Sequence, residues 1–296
     1  MPLPLQGVFT ALVTPFSADG SSIDFDAYEK LLQHQFDGGI SGLVPCGTTG
    51  ESPTLSDAEQ RELIARTVRF AKGRVPVLAG TGSNNTKKSI EASKAAFEAG
   101  ADGVMLVMPY YNKPSQEGLF RHLTEIAKAV SGPVVLYNVP GRSIVEISVD
   151  TVLRVLDACP NVVGIKDASG NVLFCQELML KARGRIVDLS GDDPLTLPMM
   201  AVGAQGVISV TSNLYPRQTG EVVADALAGK WGDAERKNSR LYLLHRAFFT
   251  EPSPAPIKAA LAMKGFMQPS VRLPIVEATQ GCRDNLAQLM KSFEAV

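Results

Sequence analysis

The sequence predicts an α/β fold, a (β/α)8 TIM barrel with a C-terminal helical addition. Strand patterns alternate with helix patterns eight times between residues 7 and 228, and this alternation is typical of a parallel sheet. The strand patterns are short and continuously apolar, as expected where both faces of a sheet are covered. The units recur about every 20 to 35 residues, and eight of them are enough to close a barrel.

The predicted strands and helices follow one another along the chain. Strands are expected at residues 7–15, 43–46, 75–79, 104–108, 134–137, 162–165, 186–189 and 207–210. Helices are expected at residues 25–36, 57–72, 87–98, 117–130, 149–158, 172–182, 195–202 and 218–228. The helix at 57–72 has the clearest boundaries, because Ser56 and Glu59 match a capping box and Gly73 matches a helix stop.

The alternation ends near residue 230. Three further helical patterns follow, at residues 234–249, 256–263 and 283–293. We therefore predict a barrel over residues 1–230 and a helical segment over residues 231–296 that packs on it.

An open doubly wound sheet is the alternative fold. It would favour a GxGxxG loop after the first strand, and residues 14–20 contain none.

The composition argues against several classes of partner. The 296 residues carry a net charge of -1, whereas nucleic-acid recognition usually needs a basic surface. No apolar run approaches the roughly 20 residues that span a bilayer, and no secretory signal is visible at the N-terminus. The cysteines form no CxxC pair, so we expect reduced thiols and a cytoplasmic protein. They are Cys46, Cys159, Cys175 and Cys282.

Lys166 is the first candidate for chemistry, because it ends the apolar strand at 162–165. The active site of a (β/α)8 barrel lies at the C-terminal ends of its strands. An ammonium in an apolar interior tends to lose its proton, and the neutral amine can form a Schiff base with a carbonyl substrate. The alternative is a lysine that has left the barrel and points into water.

Tyr137 ends the preceding strand. Counting with a period of two places Gly164 and Lys166 on one face of their strand, and Val135 and Tyr137 on one face of theirs. Neighbouring strands lie about 4.8 Å apart, so the two polar side chains can meet if both point inward. A phenol beside an amine can move the protons of imine formation. An aromatic plug in the barrel is the alternative.

Two more groups follow other strands. The turn Gly47-Thr48-Thr49-Gly50 offers free N–H groups and hydroxyls, which suit an anion, although it could be a plain strand–helix turn. Arg142 lies in a predicted loop and suits a carboxylate, although a surface salt bridge is the alternative. Together these groups fit a keto acid. Because His, Asp and Glu form no metal-binding cluster, imine chemistry is favoured over metal-assisted enolisation.

The sequence strongly resembles the dihydrodipicolinate synthase family, also called the 4-hydroxy-tetrahydrodipicolinate synthase family, of the pyruvate-dependent aldolase and N-acetylneuraminate lyase superfamily. The resemblance runs from Gly7 to Pro274. Its motifs agree in order and spacing, and they are Gly47-Thr48-Thr49-Gly50-Glu51, Tyr137-Asn138-Val139-Pro140-Gly141-Arg142 and Gly164-Ile165-Lys166-Asp167.

The resemblance implies a lyase that joins pyruvate to L-aspartate-4-semialdehyde and yields 4-hydroxy-tetrahydrodipicolinate, in lysine and diaminopimelate biosynthesis. It implies that Lys166 forms the imine with pyruvate and that no further cofactor is needed. Tyr137, Thr48 and Tyr111 would relay protons. It also implies a homotetramer, a dimer of dimers, in which Tyr111 reaches into the neighbouring subunit's site.

The resemblance also implies how the substrates are held. Thr48 and Thr49 would bind the pyruvate carboxylate, and Arg142 would bind the carboxylate of the semialdehyde. Gly191 and Ile208 would line the pyruvate pocket. A sugar-acid aldolase or dehydratase of the same superfamily is the alternative function, and a barrel that only binds keto acids is a third.

The sequence departs from the family pattern where lysine-inhibited members bind their inhibitor. Those members carry two histidines and a glutamate at the positions of Asp57, Gln60 and Lys88. Asn84 and Tyr110 are retained. Lys88 would place a cation where the inhibitor's ammonium binds, so we expect weak or no inhibition by lysine. Ser143, where many synthases have threonine, is a milder departure.

Overall fold

The computed structural model describes residues 3–295. Eight strands form one parallel sheet in the order β2-β1-β8-β7-β6-β5-β4-β3. A bridge between Leu43 and Val77 joins the two ends of this order, which confirms the predicted barrel and excludes an open sheet. The strands are Gly7–Ala11 (β1), Gly42–Val44 (β2), Leu78–Gly80 (β3), Gly103–Val107 (β4), Val134–Asn138 (β5), Val162–Asp167 (β6), Val187–Ser190 (β7) and Gly206–Ser209 (β8).

Helices surround the sheet and continue beyond it. The predicted capping box of Ser56 and Glu59 is present at the start of α2. The helices are Phe25–Asp37 (α1), Asp57–Ala71 (α2), Thr86–Glu98 (α3), Gln116–Lys128 (α4), Pro140–Ser143 (α5), Val149–Ala158 (α6), Val172–Ala182 (α7), Thr196–Ala201 (α8), Pro216–Leu227 (α9), Trp231–Ala247 (α10), Ala255–Met263 (α11) and Gln280–Glu294 (α12). Within residues 3–295, no helix combines the length and apolar character needed to cross a membrane.

The strands are not equally well paired. β5 and β6 pair at five positions, from Val134↔Val162 to Asn138↔Asp167. By contrast, the β7–β8 pairing is reduced to Ser190↔Val207. Between the β2 and β3 regions, the described residues form one bridge, Leu43–Val77, which lies just before β3. The hydrogen bonds from the Leu43 N–H to the Pro76 oxygen and from the Gly80 N–H to the Pro45 oxygen support that bridge.

Two apolar layers result from the alternation of side chains along the strands. The interior layer fills the barrel and includes Phe9, Val135 and Leu189, while the larger layer lies between the barrel and its helices. Tyr137 and Ile208 belong to the interior layer. The alternation therefore directs the ends of β5 and β8 toward the mouth of the barrel.

The C-terminal helices form a small bundle beside α9. Helix α10 packs on α9 and α12, and α11 packs on α12. Every residue from Ala255 to Leu261 in α11 is buried. This burial explains why α11 has an almost continuously apolar sequence and places the helix inside the molecule rather than on its surface.

Two local predictions were wrong. The first strand ends at Ala11 rather than at residue 15, because the chain leaves the sheet and Phe16 instead forms an antiparallel bridge with Ile23. Arg142 lies in the one-turn helix α5 rather than in a loop. Pro140 starts this helix, since proline is well suited to a first helical turn.

Candidate active site

Lys166 lies in β6 near the C-terminal end of the strand, and only 4% of its surface is exposed. Within the part of the chain that the structure describes, no carboxylate forms an ion pair with Lys166. Lys258, the other fully enclosed lysine, is paired with Glu51 at 2.8 Å. Lys166 is therefore the buried lysine whose amine is free of a carboxylate partner, as a nucleophile requires.

Tyr137 lies directly beside Lys166. The two residues are register partners on β5 and β6, and Nζ of Lys166 is 4.2 Å from the centre of the Tyr137 ring. Tyr137 is buried in the interior layer. The proximity that the period of two predicted is thus present, with the aromatic face against the amine.

Gly191 lies close to the side chain of Lys166. A Cβ added at Gly191 would lie 3.0 Å from Cε of Lys166 and 2.7 Å from Cβ of Ala168. Such approaches are closer than side chains tolerate, so the position needs glycine. Ile208 is buried in the same interior layer as Tyr137.

The turn after β2 presents unused hydrogen-bond donors. Its internal bonds run from Gly50 to the Gly47 oxygen and from Glu51 to the Thr48 oxygen. In residues 3–295 the N–H groups of Thr48 and Thr49 have no protein acceptor. Thr49 is buried and Thr48 is half-buried. Adjacent free N–H groups at such a turn suit an anion.

Tyr111 and Arg142 stand apart from this buried group. Tyr111 is 86% exposed and has a left-handed backbone with φ of 71°, which is uncommon for a bulky residue. Arg142 is exposed on α5. Neither side chain contacts Lys166 or Tyr137 among the bonds of the described residues.

Two buried carboxyl groups, those of Asp167 and Asp188, lie on β6 and β7 and point to the opposite side of the sheet from Lys166. Burial raises the pKa of Asp167 and raises the pKa of Asp188 well above its usual range. Neither oxygen of Asp188 has a hydrogen-bond partner within residues 3–295, which favours a neutral acid. The sequence had predicted apolar strand interiors, and Asp188 in β7 contradicts that. Asp188 is the single polar residue of the apolar stretch 186–189, and it is the sequence feature that indicates this buried carboxyl group.

Asp192 and Asp193 follow Gly191. Burial raises the pKa of Asp192, and the neighbouring Asp193 charge adds to the effect. Asp193 accepts hydrogen bonds from the Ser209 hydroxyl and from the N–H groups of Val210 and Thr211. This carboxylate therefore ties the loop after β7 to the loop after β8, and it holds Gly191 and Ile208 in place.

The fold and the site define a TIM barrel that carries a buried, unpaired lysine at its mouth. A model of the dihydrodipicolinate synthetase family matches residues 4–293. The chain belongs to this family.

Individual relatives agree with the family assignment. The 4-hydroxy-tetrahydrodipicolinate synthase of Sorangium cellulosum is 58% identical over 293 residues, which are 99% of this chain and 97% of the relative. The Kosmotoga olearia protein of the same name is 46% identical over 97% of both chains. The synthase structure from Methylacidiphilum fumariolicum SolV has a TM-score of 0.96 at 46% identity, covering 98% of this chain and 96% of that one.

Proposed function

We propose that this chain is a 4-hydroxy-tetrahydrodipicolinate synthase, a lyase that condenses pyruvate with L-aspartate-4-semialdehyde through an imine on Lys166. One observation carries the proposal, namely the buried Lys166 amine without a carboxylate partner, 4.2 Å from the Tyr137 ring centre. The family membership and the names of the relatives support the same reaction.

The reaction begins when Nζ of Lys166 adds to the C2 carbonyl of pyruvate. Water leaves the resulting carbinolamine, and Tyr137 moves the protons that this step needs. The N–H groups of Thr48 and Thr49 hold the pyruvate carboxylate. The cationic imine draws electrons from C3, so a C3 proton is lost and an enamine forms.

The enamine carbon then attacks the aldehyde carbon of the semialdehyde, and a carbon–carbon bond forms. The amino group of the semialdehyde attacks the imine carbon, closes the ring and releases Lys166. The imine itself is the electron sink, so the proposal includes no metal ion or organic cofactor. Arg142 binds the semialdehyde carboxylate from the exposed rim of the site.

We also propose that the active form is a cytoplasmic homotetramer, a dimer of dimers. The exposure of Tyr111 supports this arrangement, because 86% of its surface is uncovered by its own chain. In a dimer Tyr111 would extend the proton relay of Tyr137 and Thr48 in the neighbouring site. Within each subunit, residues 1–230 would form the catalytic barrel and residues 231–296 the added segment.

We propose that lysine inhibits this protein weakly or not at all. Nζ of Lys88 lies 3.6 Å from Oδ1 of Asp57, so the chain's own ammonium already neutralises that carboxylate. Asn84 is also engaged, because its side-chain amide donates to the Tyr110 oxygen at 3.2 Å. A free lysine would meet a cation where it needs an anion.

The decisive experiment is reduction with borohydride in the presence of pyruvate, followed by peptide mass spectrometry. We expect a pyruvate-derived mass on Lys166, none on Lys258, and none in Lys166→Ala. Label on another lysine, or no label, would refute the imine mechanism. Turnover of pyruvate with the semialdehyde, compared with turnover of sugar acids, then identifies the second substrate.

A further inference from the structure

The C-terminal segment reaches the turn after β2 through a buried ion pair. Nζ of Lys258 on α11 lies 2.8 Å from Oε1 of Glu51 and donates to the Thr14 oxygen at 2.8 Å. The side chain of Lys258 is 0% exposed and that of Glu51 is 1% exposed. Because an unpaired charge at such depth is very unfavourable, each of these residues fixes the position of the other.

The second oxygen of Glu51 is also bound by the C-terminal segment. The backbone N–H of Arg272 donates to Oε2 of Glu51 at 2.9 Å. The guanidinium of Arg272 donates to the Thr54 oxygen at 3.0 Å and pairs with Glu59. Both carboxylate oxygens of Glu51, and the short helical turn that follows it, are therefore held by residues beyond the barrel.

Glu51 needs such support because its backbone is left-handed, with φ of 56°. Cys46, at the other end of the turn, has the same φ. Residues with side chains adopt this conformation only when their surroundings impose it. The Glu51 N–H donates to the Thr48 oxygen at 3.0 Å, so the position of Glu51 sets the orientation of the Thr48–Thr49 peptide.

We propose that Lys258 is a positioning residue for the keto-acid carboxylate site. Its bond to Glu51 fixes the turn that aims the Thr48 and Thr49 N–H groups into the barrel mouth. Lys258 never touches the substrate, yet it links α11 to substrate binding. This inference rests on the proposed function, because it assigns the turn to the pyruvate carboxylate.

The test measures how much pyruvate half-saturates the labelling of Lys166 by borohydride. In Lys258→Met and in the charge-neutral double variant Glu51→Gln/Lys258→Met, we expect this concentration to rise at least about tenfold. Labelling at saturating pyruvate should still reach the wild-type level, because Lys166 and Tyr137 are unchanged. In turnover assays KM for pyruvate should rise similarly, while KM for the semialdehyde stays within about twofold of wild type.

Two control variants separate positioning from general loss of stability. Leu261→Ala removes a fully buried side chain from the same helix without touching Glu51, and it should lower Tm but leave pyruvate saturation unchanged. Lys264→Met breaks the exposed pair with Glu294 and should change neither. If Lys258→Met does not fold, pyruvate saturation is measured in the double variant. If the double variant does not fold either, it is measured in Glu51→Gln.

The outcomes distinguish this inference from the proposed function. If wild-type Lys166 is never labelled, the proposed function fails and the inference fails with it. If wild type is labelled and the Lys258 variants saturate at the same pyruvate concentration, only the positioning role is overturned. The positioning role would also be overturned if Leu261→Ala, with a Tm equal to that of the Lys258 variants, showed the same rise in the half-saturating pyruvate concentration.

Discussion

Lys166 and Tyr137 are cross-strand partners, and the amine nitrogen lies 4.2 Å from the ring centre. The amine therefore sits over the aromatic face rather than in a hydrogen bond to the phenol. A cation over such a face is stabilised electrostatically. The hydroxyl of Tyr137 remains available for a substrate.

Tyr137→Phe tests the role of that hydroxyl, because it keeps the ring against Lys166. We expect kcat to fall by about 10²- to 10⁴-fold, the usual contribution of a proton-transfer group, while Tm stays close to wild type. A time course of borohydride trapping should show slower imine formation that still reaches completion. Unchanged turnover would rule out Tyr137 as the proton carrier.

Gly191→Ala tests the close approach to Lys166. The added methyl would lie 3.0 Å from Cε of Lys166 and 2.7 Å from Cβ of Ala168, so the lysine has to move. We expect imine labelling to fall at least about tenfold. Gly220→Ala is the matched control, since its Cβ meets nothing within 4 Å; it should retain labelling and gain about 0.5–1 kcal/mol of stability from its helical position.

Arg142→Ala should affect the second substrate and spare the first. Its exposed guanidinium is expected to bind a carboxylate, and hydrogen bonds between charged groups contribute about 1.5–3 kcal/mol. KM for the semialdehyde should therefore rise roughly ten- to a hundredfold, with pyruvate labelling unaltered. Arg142→Lys should recover only part of the loss, because an ammonium cannot form two parallel bonds. Weaker pyruvate labelling in Arg142→Ala would show that Arg142 acts on pyruvate rather than on the semialdehyde.

Titration with L-lysine tests the ion pair of Lys88 and Asp57. We expect less than half inhibition at roughly 1 mM lysine, a concentration that corresponds to only weak binding. Lys88→Glu, which removes the competing ammonium, should increase the response. Strong inhibition of the unmodified protein below that concentration would contradict the prediction.

His122 should make the fold sensitive to acid. Burial lowers the pKa of His122 to about 4, whereas an unfolded histidine titrates near 6.5. As pH falls from about 6.5 to 4, only the unfolded chain takes up the proton, so stability falls by up to about 3 kcal/mol. Below about pH 4 this contribution no longer changes.

Urea unfolding of wild type and His122→Gln at several pH values measures this effect. The difference in unfolding free energy between the two proteins should shift with pH between 6.5 and 4 and stay constant above 7. The Thr86 hydroxyl, 2.9 Å from Nδ1 of His122, loses its partner at every pH and therefore affects only the constant part. A difference that does not vary with pH would show that His122 has the same pKa in the folded and the unfolded chain.

The sequence was sufficient for the barrel and for the residues inside it. Apolar runs and a period of two are enough to locate β5 and β6 and to pair Tyr137 with Lys166. These signals are local, since each depends on neighbours one or two positions away along a strand. The chemical roles of Lys166 and Tyr137 remain predictions, as do those of Thr48, Arg142 and Tyr111.

Other features depend on contacts between distant parts of the chain. Lys258 and Glu51 are 207 positions apart, and in sequence Lys258 looks like a polar residue on an ordinary helix. Asp188 lies in a stretch whose pattern predicts an apolar strand, because such a pattern tolerates one polar residue. Burial and ion pairing of this kind arise only when separate elements assemble, so no single stretch of sequence reveals them.

The uneven pairing of the strands divides the site into a stiff part and a compliant part. Tyr137 and Lys166 lie on β5 and β6, the most extensively paired strands. The Thr48–Thr49 turn and Gly191 follow β2 and β7, next to the sparsely bonded seams. Because fewer backbone hydrogen bonds resist opening there, fluctuations of the barrel would move the Thr48–Thr49 turn and Gly191 more than the amine of Lys166. A ligand bound at both Lys166 and the turn would link β6 to β2 across the mouth of the barrel, and so would restrain the compliant part against the stiff one.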